Sequence, residues 1–223
     1  MNREPLNAAT SNLQRLAPWA GIAFAVLLVA GFFLVGDTPD TDDKQAWVDF
    51  YDDSDNRVTQ IIGGLLGVLS AFAFLWFAHS LIARLAGSRS NADVLSNLAR
   101  SAATLFAAFV ILAMVVQVSI SAAVELGDAP GPDTGDFGIQ FEQLAFGLLL
   151  VAGCLSASLF IATVSELARQ RGVWPRWLIW AGFVAALLLL LGVLFFPIAL
   201  IPLWALAVSI VLLMRPPTPE QIT

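Results

Sequence analysis

The amino-acid sequence predicts an all-α fold: a polytopic transmembrane helical bundle of six spans, both termini cytoplasmic. Three observations carry that reading. Of the 223 residues, 58% are hydrophobic and 13% charged, against about 45–50% apolar and about 25% charged in an average soluble domain. Apolar runs of membrane-crossing length recur along the chain, and the basic residues fall on alternate connections between them. This composition excludes a disordered chain, a collagen-like fibre and a disulfide scaffold. It also argues against a water-soluble enzyme, whose surface needs more polar side chains than are present here.

A spanning helix needs about 20 mostly apolar residues to cross about 30 Å of hydrocarbon. The candidate spans cover residues 17–35, 58–82, 101–124, 141–168, 177–196 and 198–214, giving a single transmembrane domain over 1–223. Arg3 and Arg15 precede the first span in the manner of a signal peptide. Its apolar stretch exceeds the usual 7–15 residues, however, and Gly36-Asp37-Thr38-Pro39 follows where a small-residue cleavage site belongs. The first span therefore reads as an uncleaved helix. The last two spans come from one run, Trp177 to Met214, which Pro197 and Pro202 interrupt. Proline removes a helical donor and clashes with the preceding turn, so a tight hairpin is expected near Phe196–Pro197.

Orientation follows from arginine and lysine, which accumulate on the cytoplasmic side. With both ends inside, Arg3, Arg15, Arg84, Arg89, Arg100, Arg169, Arg171, Arg176 and Arg215 lie inside, and only Lys44 and Arg57 outside. The acids do the opposite, with thirteen of the 17 between Asp37 and Glu142 on the outer side. The net charge of −6 thus resolves into about +5 inside and −11 outside, and the positive face suits an anionic cytoplasmic leaflet. Arginine outnumbers lysine ten to one, a GC-rich bias that points to a bacterial cell membrane.

The longest loop, 36–57, faces outward. Ala46, Trp47, Phe50 and Tyr51 share one face of a short helix there, with Thr41 or Asp42 as its cap. It reads as an amphipathic segment in the outer interface with its aromatics at headgroup level. Its aspartates lack the spacing of a calcium loop, since Asp53-Ser54-Asp55-Asn56-Arg57 sets an arginine where the glycine belongs. A solvated acidic loop is expected, with a cationic ligand or a protein partner as its natural counterpart. Gly63, Gly64, Gly67 and Ala71 in the second span, and Gly153, Ser156 and Ala157 in the fourth, are small-residue faces for helix packing within the chain. Trp174, Trp177 and Trp180 read as anchors at the inner interface. Ser80-Leu81-Ile82-Ala83-Arg84 and Ser165-Glu166-Leu167-Ala168-Arg169 echo each other, but any inward-going helix end favours such residues.

Polar side chains within spans are the sites to weigh for function. Gln117, Ser121 and Glu125 lie at i, i+4 and i+8 on one face of the third span. Arg57 and Gln60 open the second span, and Gln140, Glu142 and Gln143 the fourth. All are at the outer end, where they can converge either on a polar vestibule or on a structural hydrogen-bonded cluster, with Arg57 pairing with Glu125 or Glu142. His79 and Ser80 form a second candidate polar site near the inner end of the second span. As the single histidine, His79 excludes a bis-histidine haem and a histidine-rich zinc site within one chain. The lone Cys154 excludes an intrachain disulfide. No hydrolase, metalloprotease or nucleotide-binding motif is present, so no cofactor, metal or nucleic acid is expected and no residue is assigned as catalytic.

The turn Thr38-Pro39-Asp40, the acidic-aromatic loop ending Asn56-Arg57, and the tail from Phe196-Pro197 through Leu203-Trp204 and Ser209 to Arg215 resemble a loose group of bacterial six-helix membrane proteins carrying domains of unknown function. The resemblance covers about a third of the chain and implies the topology alone, since that group brings no established activity. The leading expectation is a non-enzymatic binding or accessory membrane protein with an acidic outer loop. A transporter or channel using the outer polar cluster is the alternative, and an intramembrane enzyme centred on His79 is the second.

Overall fold

The computed structural model describes residues 16–35, 38–86, 90–191 and 197–214. Among them are seven helices and no strand: α1 (Ala17–Val35), α2 (Lys44–Asp52), α3 (Ser54–Leu85), α4 (Ser90–Gly127), α5 (Asp136–Arg171), α6 (Arg176–Leu190) and α7 (Leu200–Met214). Four of them, α1, α3, α4 and α5, are long and apolar enough to cross a membrane, while α6 and α7 are shorter apolar helices of 15 residues. The exterior of the bundle is apolar as well. Trp19, Phe33, Leu65, Phe72, Trp76 and Leu112 are all exposed, a surface that water does not tolerate in patches this broad. This is the character of a membrane protein.

The long helices exceed the apolar runs that signal them. The third span, expected at 101–124, begins at Ser90, because a polar first stretch continues the helix beyond its apolar part, with Arg100 Nη1 donating to Asn97 Oδ1 at 3.0 Å one turn back. The second span extends from 58–82 to Ser54–Leu85, where Asp53 caps it by accepting the Asp55 amide at 2.8 Å. The span expected at 141–168 runs from Asp136 to Arg171, with a π-helical turn at Leu148–Gly153. It ends on Gly172, whose φ of 64° is the left-handed conformation that glycine adopts without strain.

The span expected at 177–196 is helical only to Leu190, and 192–196 lie outside the described residues, as does the Phe196 half of the expected hairpin. Pro197–Ala199 form a 3-10 turn, and Pro202 sits in the first turn of α7, where a missing N–H costs nothing. The readings placed on Arg3, Arg15, Gly36-Asp37, Arg89 and Arg215 also lie outside the described residues.

In the bundle α1 packs along α3 and α7, α3 along α4, α4 along α5, and α5 along α6. Glycines set the α1–α3 approach: a Cβ on Gly31 would come within 2.9 Å of the Gly63 carbonyl oxygen and 3.0 Å of the Gly67 nitrogen. Gly64 and Gly67 give the same closeness to Val118 and Met114 of α4, so this small-residue face serves packing within the chain. Gly153 does not work this way. It belongs to the π turn and contacts its own Leu149, while Ser156 bonds back to the Ala152 carbonyl. Gly182 of α6 is the close-packing glycine there, against Ser165 and Trp204.

Phe24, Phe74, Phe106 and Phe160, one from each long helix, meet at the bundle centre. The Phe74 centroid lies 5.0, 4.7 and 5.2 Å from the other three. Tilted and edge-on pairs of this kind are worth about 0.5–1.5 kcal/mol each beyond their buried area. Trp204 of α7 extends the cluster to Phe77, Phe160 and Trp174. Trp174 is therefore a core residue and no interfacial anchor, unlike Trp177 and Trp180, which are exposed.

The two ends differ in charge. Arg84, Arg100, Arg169, Arg171 and Arg176 gather at one, where an Arg171 guanidinium N–H donates to the Ala86 carbonyl oxygen. At the other, the acidic end, α2 folds across the start of α5. Its N-cap is Asp43, which accepts the Ala46 amide at 3.0 Å, in place of the expected Thr41 or Asp42. Trp47 and Tyr51 are buried in protein, with Ile120 and Ile139 packed on them, and do not face headgroups. The reason is a landing site at the start of α5: Gly135, the residue before it, lies against the Lys44 backbone, and a Cβ on Gly138 would fall 2.5 Å from the Trp47 ring.

Candidate functional site

Of the eight polar residues expected to converge, six are at the acidic end of the bundle interior, and they form two groups with different chemistry. The first group is a clamp. Arg57, one turn into α3, donates from Nε to Glu125 Oε2 at 2.8 Å, with Nη2 2.7 Å from the same oxygen. Its Nη1 donates to the Tyr51 carbonyl at 2.6 Å, so one guanidinium ties α2, α3 and α4 together. One turn deeper, Ser121 Oγ donates to Gln60 Oε1 at 2.5 Å, and both residues are buried. The Gln60 side chain also approaches the Tyr51 hydroxyl, although its Nε2 has no hydrogen-bond partner of ordinary geometry. These four residues are committed to holding helices.

The second group lines a crevice of about 60 Å³ between α1, α4 and α5. Its polar members are Thr38, Gln117 and Glu142, and its walls include Phe32, Met114, Phe146 and Leu149. Glu142 is 7% exposed, and its Oε1 accepts the Thr38 hydroxyl at 2.6 Å. Gln117 is 9% exposed, and its carboxamide makes no hydrogen bond to the described residues. The π turn begins six residues beyond Glu142, with the Cys154 amide reaching back to Leu149. Such turns are frequent at functional sites in helices.

Tyr51 connects the two groups. Burial, and then the Glu142 charge, push its pKa above the ordinary value of 10.0, and the Gln60 side chain pulls it partly back. A neutral phenol thus roofs the acidic end across the whole range of ordinary pH.

Gln140 is exposed and belongs to neither group, and the same holds for Gln143. Gln143 follows Glu142 directly, and consecutive helical residues differ by about 100° in direction, so only one of the two can face inward. His79 is likewise exposed, with Nδ1 at 2.9 Å from its own helix's Leu75 carbonyl, and Ser80 is half-buried. The cavity-facing histidine and nucleophile that an intramembrane enzyme requires are not found at that position.

Thr38 is the crevice residue that sequence reasoning missed. It was legible only as part of a turn, and its contact with Glu142 spans 104 positions. Gly135 and Gly138, at i and i+3, were the overlooked signal for where α2 lands. Lys44 pairs with Asp136 at 2.7 Å between exposed side chains, which closes the same junction from outside. Comparison with protein-family models, with curated proteins and with solved structures finds no match.

Proposed function

We propose that this chain is a six-span protein of the cell membrane, with both termini cytoplasmic and the acidic end outward. It acts without catalysis, as a binding or accessory protein, and the crevice at Glu142 and Gln117 is where it binds. The observation that carries this reading is the division of the polar residues. Arg57 is bonded to Glu125 and Ser121 to Gln60 across helices, while Gln117 and Glu142 face open space among apolar walls. Membrane-embedded polar groups are costly to retain and mark function more often than surface ones. The excess of arginine at the opposite end supports the orientation.

Passage through the bundle fits less well than binding. Phe106 lies eleven positions, about 16 Å along the helix, below Gln117, and there the four phenylalanine rings pack edge to face with no polar lining. A transport reading needs that aromatic layer to part.

The test replaces Cys154 by alanine and introduces single cysteines at Asp53, Asp93 and Gln117. In intact cells a membrane-impermeant thiol reagent is expected to label the cysteines at 53 and 117, and the cysteine at 93 only after permeabilisation. Labelling at 93 without labelling at 53 overturns the orientation. A cysteine at 117 that stays unreactive even in detergent overturns the crevice as a ligand site.

A further inference from the structure

We propose that the crevice takes an ammonium group on a short apolar body, with Glu142 as the counter-charge; this rests on the crevice being the binding site. The carboxyl of Glu142 has one hydrogen-bond donor, Thr38, and among the described residues no basic side chain pairs with it. The two cations of the acidic end are engaged elsewhere, Arg57 by Glu125 and Lys44 by Asp136. A carboxylate walled by apolar groups calls for a positive charge to balance it, and three candidates exist: a proton, a metal ion, or an organic cation.

The lining decides between them. Hard metal ions take about six to eight oxygen ligands, and the crevice offers three oxygen-bearing side chains in an otherwise apolar wall. Among the described residues no group of three or more His, Cys, Asp or Glu side chains is placed to hold a metal. A proton would satisfy Glu142 but leave the Gln117 carboxamide and the space beside it without purpose. An ammonium uses every feature. Its charge meets Glu142, an N–H or polarised C–H meets the Gln117 carbonyl oxygen, and its carbon chain lies on Met114 and Leu149. Phe32 and Phe146 put aromatic rings in the wall, and aromatic rings attract cations in desolvated sites.

The volume of about 60 Å³ corresponds to about four or five water-sized positions. That is the size of n-butylammonium, and also of the ammonium end of a zwitterionic lipid.

The experiment uses the full chain in a non-ionic detergent and follows equilibrium binding of n-butylammonium chloride at constant ionic strength. n-Butanol is the neutral competitor of the same shape and sodium chloride the inorganic one. Saturable binding is expected, displaced by neither competitor, and Glu142→Gln is expected to weaken it at least tenfold. Glutamine keeps an acceptor for Thr38, so the variant retains the local contact; if it nevertheless fails to fold, Gln117→Leu serves, with an expected severalfold loss.

Nanodiscs of phosphatidylethanolamine and of phosphatidylglycerol distinguish the source, reading the difference between wild type and Glu142→Gln in each. Competition by phosphatidylethanolamine alone identifies a lipid headgroup, and equal binding in both a free ammonium. Either result upholds the proposal. Binding that n-butanol displaces, binding that survives Glu142→Gln, or no saturable binding overturns it. If the cysteine at 117 is labelled from outside yet no ammonium binds, the ligand class is wrong and the binding site stands. If that cysteine is inaccessible, both fall.

Discussion

Replacing Glu125 by glutamine tests whether the Arg57 clamp is a structural member or a surface decoration. The guanidinium makes two contacts of 2.8 and 2.7 Å to one carboxylate oxygen and a third of 2.6 Å to the Tyr51 carbonyl. The Arg57 side chain is 13% exposed and that of Glu125 28%. Exposed ion pairs contribute about 0–1 kcal/mol, whereas breaking a buried pair by removing one partner costs about 3–5 kcal/mol, because the other charge is stranded. With a quarter of Glu125 in contact with solvent, removal of the side chain in Glu125→Ala is expected to cost about 3 kcal/mol. Glu125→Gln keeps one neutral acceptor, worth about 1 kcal/mol, and is expected to cost about 2 kcal/mol. The double variant Arg57→Met/Glu125→Leu leaves no stranded charge and is expected to fall within about 1 kcal/mol of the wild type. Unfolding in mixed micelles of rising dodecyl sulfate content, followed by tryptophan fluorescence, reads all three. A loss below about 0.5 kcal/mol for Glu125→Gln refutes the reasoning, as does a double variant that is less stable than Glu125→Ala.

Three further outcomes are expected. Gly31→Ala forces a Cβ to within 2.9 Å of the Gly63 carbonyl oxygen, a backbone atom that cannot rotate away, and is expected to destabilise the same unfolding equilibrium by about 1–3 kcal/mol; Gly147→Ala, where a Cβ meets nothing within 4 Å, is its control and costs nothing. Tyr51 is the single tyrosine, so the tyrosinate ultraviolet difference band reports it alone and is expected to appear only above pH 10.0, its ordinary value. Its folded pKa is raised, so the unfolded chain loses that proton first; this contribution to stability is complete below pH 10 and declines as pH rises above it, and Tyr51→Phe abolishes the decline. His79→Ala alters an exposed side chain bonded only to its own helix, and stability within about 0.5 kcal/mol of the wild type is expected.

The first apolar segment was legible to the residue, because Ala17–Val35 carries no charge and helix and apolar run coincide. Where they part, hydropathy reports only the continuously apolar portion: Ser90 to Arg100 interleaves polar residues with Val94, Leu95 and Leu98, yet those residues are helical. The π turn was not legible at all, since Leu-Leu-Leu-Val-Ala-Gly has no side chain that distinguishes it from a regular turn. The aromatic face of α2 was visible as a face, but the pattern that suits lipid headgroups equally suits a protein groove. Only the partner glycines at the start of α5 decide between them. For the site, the i, i+4, i+8 spacing brought Gln117, Ser121 and Glu125 onto one stripe. It could not say that Ser121 and Glu125 would be consumed by Gln60 and Arg57 while Gln117 stayed free. That depends on the rotational setting of neighbouring helices, which no single segment encodes.

The π turn makes α5 two rods joined in series, each with its own phase. The upper rod points Glu142 and Ala145 at α1 and α4, and the lower points Phe160, Val164 and Ala168 into the core. A π turn holds one residue more than a regular turn of the same height. Deleting one residue between Leu148 and Gly153 would give a straighter and better bonded helix, and would rotate the two rods by about 100° against each other. Either Glu142 would swing to the outside or Phe160 would leave the aromatic layer. A regular α5 and a filled core with an inward-facing carboxylate are therefore alternatives for this chain, and it is built around the irregular one.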